Sequence, residues 1–159
     1  MLTYKQIVQA VTEKLQSQFP SIPVLQEDVG EGSANSGSGF QFERPSFKVL
    51  FDSASRDERL YNSLRTATCR IYFFPTSLYN YSLEFLDTLD GLETAFGLNL
   101  QVQDRTITIT ESRNEQIGDA TQTKVLEFDF DIQWYDDPAH PQSESPYKME
   151  ELDLDFTDE

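Results

Sequence analysis

The residue types that could do chemistry are few in this chain. Across 159 residues there is one histidine, His140, and one cysteine, Cys69. Nucleophilic catalysis needs a base held beside the nucleophile. His140 lies between Pro138 and Pro141 in a linker-like stretch with nothing to orient it. Cys69 falls on the apolar face of an alternating run, where a small buried thiol is the simplest reading. A single cysteine also excludes an intramolecular disulfide and a cysteine-based zinc site. Asp129 and Asp131 share one face of a strand pattern and have the oxygen chemistry a hard cation prefers. In so acidic a chain a solvated or interface-facing acidic strip is the plainer expectation. The final DLDFTDE has a calcium-loop flavour but lacks the central glycine and the spacing. Residues 30–41, GEGSANSGSGFQ, are glycine-rich, yet no GKS or GKT and no helical pattern follow them. No enzyme constellation is present, and no cofactor or metal is expected.

Composition narrows the classes further. The formal charge is −16, with 12 basic against 28 acidic side chains. A surface this acidic does not neutralise a phosphate backbone, so sequence-specific nucleic-acid binding is not expected. The 12 Phe and 7 Tyr are too many for a disordered acidic chain and point to a real core. No apolar run approaches the roughly 18 residues of a membrane span, and the first residues, MLTYKQIVQAVTEK, do not read as a signal peptide. The charge is uneven: residues 136–159 hold Lys148 against nine acidic residues. The expected organisation is therefore a body, residues 1–135, and an acidic linker and extension, residues 136–159.

The elements that must position these residues follow from periodicity. Residues 3–19 predict an amphipathic helix with Tyr4, Val8, Val11 and Leu15 on its stripe, Ile7 beside it, Thr3 as cap and Pro20 as stop. Residues 22–29 read as an edge or irregular strand, because Pro23 interrupts the run. Residues 30–41 read as a flexible Gly/Ser loop. Residues 45–53 predict a strand with Phe47, Val49 and Phe51 on one face, and SASRDE a polar turn. Residues 59–74 predict a long strand with Ala67, Cys69, Ile71 and Phe73 on one face. A second helix is expected at 77–96, capped by Thr76 or Ser77, with Leu78, Phe85, Leu86, Leu89, Leu92 and Phe96 as its stripe; Gly91 weakens its middle. A hairpin is expected at 98–112, a polar loop at 112–122 and a strand at 125–135. The sum is an α+β fold: a mostly antiparallel sheet flanked by two helices, with a flexible Gly/Ser loop and an acidic C-terminal extension.

Short motifs then carry a resemblance. LTYKQIVQAVTEKLQSQFPSIPVLQEDV, FERPSFKVLFDS, RTATCRIYFFP, LQVQDRTITIT and LEFDFDIQWY occur in that order over residues 2–135. In this the chain resembles the small tail terminator proteins of phages and phage-derived tail particles of Gram-positive bacteria. The resemblance implies a structural cap in the virion. Such proteins form a hexameric ring of identical copies on the tail tube, stop its polymerisation, and dock a head connector or sheath. It implies no catalytic residue, cofactor or membrane partner, though DNA passes through the ring. The alternative reading is an acidic module that mimics DNA, with Asp129 and Asp131 posing as phosphates.

Contact residues are expected at three places. Leu152, Leu154 and Phe156 alternate with Asp153 and Asp155 in the extension, a pattern suited to strand addition on a partner sheet. Gly37, Gly39 and Phe40 mark the glycine-rich loop, and Asp104 and Arg105 mark the tip of the hairpin.

Overall fold

A computed structural model describes residues 1–25, 44–59, 61–77, 81–118 and 124–137. Helix α1, Tyr4–Gln18, starts in a capping box: the Gln6 amide donates to the Thr3 hydroxyl, and the Thr3 amide donates to the Gln6 side chain. Ile7, Val11 and Leu15 form its buried stripe. Tyr4 sits at the margin of that stripe and is partly exposed, and Val8 is half-buried.

Six strands follow in the sheet order β1-β2-β3-β6-β5-β4. They are β1 (Val24–Leu25), β2 (Ser46–Glu58), β3 (Ser63–Phe74), β4 (Asn99–Val102), β5 (Arg105–Ile117) and β6 (Val125–Asp136). Among the described residues only the β1–β2 pairing is parallel. Helix α2, Ser82–Ala95, lies between β3 and β4 in the chain. Both helices cover the same face of the sheet. From α2, Phe85 meets Phe73 edge-on at 6.1 Å, and the adjoining Phe96 stacks on Phe130 at 4.9 Å. At the end of α1, Phe19 lies 5.0 Å from Phe47. Each such side chain contributes about 1.5–3 kcal/mol when fully buried, and the aromatic pairing adds to it. The fold is α+β, as the pattern of elements predicts.

Several boundaries differ from expectation. SASRDE is not a turn: β2 runs through it to Glu58, and the chain has reversed by Ser63, where β3 begins. Residues 112–117 are not loop but the second half of β5. Ser53–Glu58 and Thr110–Ile117 are largely exposed, so neither shows the in–out alternation that marks a half-buried strand. Helix α2 starts at Ser82 after Tyr81, five residues past Ser77. Thr76 instead offers its amide and hydroxyl to Glu84, at 3.0 and 2.8 Å to Oε1. Leu86 leaves the buried stripe and is 55% exposed, whereas Thr88 is buried. Gly91 has a packing reason: a Cβ there would stand 2.5 Å from the Phe19 ring. It lets α2 pass close to the end of α1.

Candidate assembly surface

The uncovered face of the sheet is built from the residues that alternate with the core. On β3 these are Leu64, Thr66, Thr68, Arg70 and Tyr72; on β6 they are Glu127, Asp129, Asp131, Gln133 and Tyr135. Arg70 stands at its centre. Its Nε donates to Asp129 Oδ1 at 2.9 Å and its Nη2 to Asp129 Oδ2 at 3.2 Å, a bidentate pair. Glu127 and Asp52 lie 3.3 and 3.4 Å from the same guanidinium. The hydrogen bond to Asp129, helped by one to Tyr72, holds the Arg70 pKa above its ordinary value. Burial pushes the Glu127 pKa up, against the lowering pull of its Tyr72 hydrogen bond and of Arg70.

Asp131 accepts from the Thr68 hydroxyl at 2.6 Å and from Arg113 at 3.1 Å. The two carboxylates singled out in the sequence are therefore paired with arginines on neighbouring strands. They do not stand as a bare row of phosphate-like charges. No group of three or more His, Cys, Asp or Glu placed to hold a metal occurs among the described residues. Cys69 is buried, and burial followed by the nearby Asp131 charge pushes its thiol up to about 12. A thiol held protonated is a poor nucleophile.

A shallow trough of about 500 Å³ lies on this face, lined by Ser53, Ser55, Thr66, Thr68, Thr110 and Gln133 among others. Its hydroxyls bond one another, Ser53 to Thr68 at 3.3 Å and Ser55 to Thr66 at 2.6 Å. The carboxylate that lines the trough with them, Asp131, accepts from Thr68 and is held by Arg113.

At the far end of β6, Asp136 is fully enclosed and gathers what surrounds it. It accepts from Arg105 at 2.8 Å, from the Leu2 amide at 3.3 Å and from the Trp134 indole at 3.4 Å, with Arg65 at 3.6 Å. Arg65 also donates to the Leu2 carbonyl at 3.3 Å and lies over the Tyr4 ring at 5.4 Å. This network fastens the start of α1 to the ends of β3, β5 and β6. Arg105, expected at a contact surface, is thus tied into the fold by its side chain. Asp104 stays exposed at the hairpin tip, beside Gln103, whose φ of 56° fits the first corner of a tight two-residue turn. Leu152, Leu154, Phe156, Gly37, Gly39, Phe40, His140 and Leu78 lie outside the described residues.

The sequence reading missed the two open edges of the sheet. Strand β1 pairs with β2 only at Phe47 and Lys48, and β4 covers β5 only from Arg105 to Thr108. Beyond those points, Val49–Glu58 and Thr110–Ile117 have a strand partner on one side alone among the described residues. The signal available in the sequence was composition: Ser, Thr, Asn, Gln and mixed charge without a single Pro across 53–58 and 110–117.

A family model described as phage tail terminator protein matches residues 6–144. The chain belongs to the phage tail terminator family. The match runs from within α1 past the end of β6, so it takes in the whole sheet. No curated protein matches the chain. A terminator is a structural protein of the phage virion, and its work is contact with other tail proteins. No helix among the described residues is long and apolar enough to cross a membrane.

Proposed function

We propose that this protein forms a ring of identical copies, six in number, at the head-proximal end of a phage or phage-like tail tube. There it stops tube polymerisation and docks a connector or sheath protein. The single observation that carries this reading is the family match across every strand of the sheet. The architecture supports it: among the described residues one face is covered by helices, the other is polar and open, and both edges can take a further strand. Capping is then a matter of two unlike surfaces. One fits the growing tube, and the other does not reproduce it, so addition stops. The net charge of −16 per copy suits a channel that repels passing DNA phosphates.

The body, which ends with β6 at Asp136, carries the ring, and the residues beyond it reach the next component. In that extension Leu152, Leu154 and Phe156 add as a strand to a partner's sheet, with the loop around Gly37, Gly39 and Phe40 and the hairpin tip at Asp104 and Arg105 as further contacts. Truncation after Pro138 should then leave the body folded but weaken attachment of sheath or connector. The test of the reading as a whole is negative-stain microscopy of the purified protein, alone and mixed with polymerising tube protein. Six-membered rings and tubes of limited length are expected. Tubes that grow as long with the protein as without it would sink the proposal.

A further inference from the structure

The two open edges are complementary, and the complementarity defines a seam. We propose that the free edge of β5, Thr110–Ile117, pairs antiparallel with the free edge of β2 in a second copy of this chain, with Arg113 opposite that copy's Asp57. The inference rests on the ring reading above and specifies how neighbouring copies join.

The direction follows from topology. Strand β2 is antiparallel to β3, β3 to β6 and β6 to β5, so β5 runs antiparallel to β2 within one sheet. A second copy set beside the first in the same orientation therefore meets β5 with an antiparallel β2. Head-to-tail contact of this kind uses both edges in one interface and propagates into a ring, whereas pairing β5 with β5 leaves every β2 edge in water.

The register follows from three observations. The first is which segments are free. Without a shift along the strands, Ser112–Gln116 would lie level with Phe51–Phe47, and Phe47 and Lys48 already pair with β1. Among the described residues, the part of β2 with no partner on its outer side lies further on, toward Glu58. The second is charge. With Arg113 opposite Asp57, Glu111 comes opposite Arg59 and Asn114 opposite Arg56, and no like charges face each other. The third is geometry. Arg113 is level with Arg70 through Asp129, and Asp57 is level with Leu64, six residues away along β3. That stagger is about 20 Å at a rise of roughly 3.3 Å per residue. It accrues over four strand spacings of about 4.8 Å, which sets the strands at about 45° to the ring axis. Closed sheets tilt by roughly 35–45° and need such a stagger to close. Six is also even, so side chains keep their face and backbone groups keep their phase across the seam.

Engineered cysteines test the seam directly. In one chain Arg113 and Asp57 sit on opposite edges of the sheet, so a disulfide between them joins two copies. Full-length protein carrying Arg113→Cys and Asp57→Cys, assembled alone or on tail tubes and then mildly oxidised, should give a non-reducing gel ladder up to the complete ring. Either single variant should stay monomeric on that gel, since Cys69 is buried. Independently, Arg113→Asp or Asp57→Arg should lose the assembled species in sedimentation, and the double exchange should restore it. Dimers from Arg113→Cys alone would establish a β5–β5 contact and overturn the seam. Rings by microscopy without cross-links would overturn the seam while leaving the ring reading intact. Protein that stays monomeric even on tubes would overturn both.

Discussion

Phe130 and Ser112 face each other across the β5–β6 ladder, yet one is wholly buried and the other exposed. Asn114 opposite Phe128 and Gln116 opposite Leu126 repeat the contrast. Up to Ile109, β5 contributes to the core with Ile107 and Ile109; the register then shifts before Glu111, and every residue to Ile117 is exposed. Strand β2 divides similarly, with Phe47 buried at one end and a register shift between Phe51 and Ser53 before the polar half begins. One sheet thus contains two kinds of strand. Under the helices, packing and pairing agree. In the projecting halves, the backbone ladder and polar side chains hold the strand without a core. A bulge that breaks the alternation is a physical boundary between the two.

The sharpest way to break the covered region is to remove an aromatic from it. Phe96→Ala empties the site between Phe128 and Phe130, and should cost about 3–5 kcal/mol, read as a lower urea midpoint. A cost under about 1 kcal/mol would mean that the helix side is loosely packed and the contrast false. Asp136→Ala attacks the same region through charge. It strips Arg65, itself largely buried, of its ionic partner and releases the Leu2 amide. Breaking a buried pair from one side costs about 3–5 kcal/mol, and here Arg105 could relax into solvent and bring the loss to the lower end. Protection of the first turn of α1 from hydrogen exchange should fall along with it.

The sequence made the covered region legible and hid the other for one physical reason. Period-two alternation records burial on one face, so Ala67, Cys69, Ile71 and Phe73 or Leu126, Phe128, Phe130 and Ile132 announce themselves. Ser53–Glu58 and Thr110–Ile117 bury almost nothing on either face and read as turn and loop. Leu86 shows the converse error, an apolar residue at helical spacing that the fold leaves outside. Gly91 was visible as a weak helix residue, but its purpose depends on Phe19, far away in the chain. Composition groups Asp136 with the acidic extension, because nothing local distinguishes a buried carboxylate from a solvated one. The family resemblance was legible in short motifs; the open edges were not, since pairing partners are absent from a one-dimensional pattern.

The open face sits between the two regimes, and Glu127→Gln probes it. Burial raises the folded-state pKa of Glu127 above 4.5, so the native protein holds that proton more tightly than the unfolded chain does. Native stability then falls as pH rises from the ordinary value through the raised one, and the penalty is complete above both. Removing the charge should leave the variant slightly more heat-stable than wild type at pH 7. The advantage should vanish as pH drops below 4.5, where both carry a neutral side chain. A variant less stable at pH 7 would show that Glu127 serves Arg70 more than burial opposes it.

The smallest expected effect falls on the projecting half of β5, and its smallness is the point. Asn114 is exposed on the helix side of the sheet, with no helix residue packed on it among the described contacts. Asn is disfavoured in strands and Thr is favoured. Because nothing packs there, Asn114→Thr should change stability only through that preference, within about 0.5 kcal/mol and toward greater stability. The same substitution adds a branched side chain beside the edge where a second copy is proposed to pair, and it leaves the backbone donors in place. Assembly should therefore persist. A loss of 2 kcal/mol or more in the monomer, a range typical of core truncation, would show that this half of β5 is packed after all. The division of the sheet into a cored half and a laddered half would then fail.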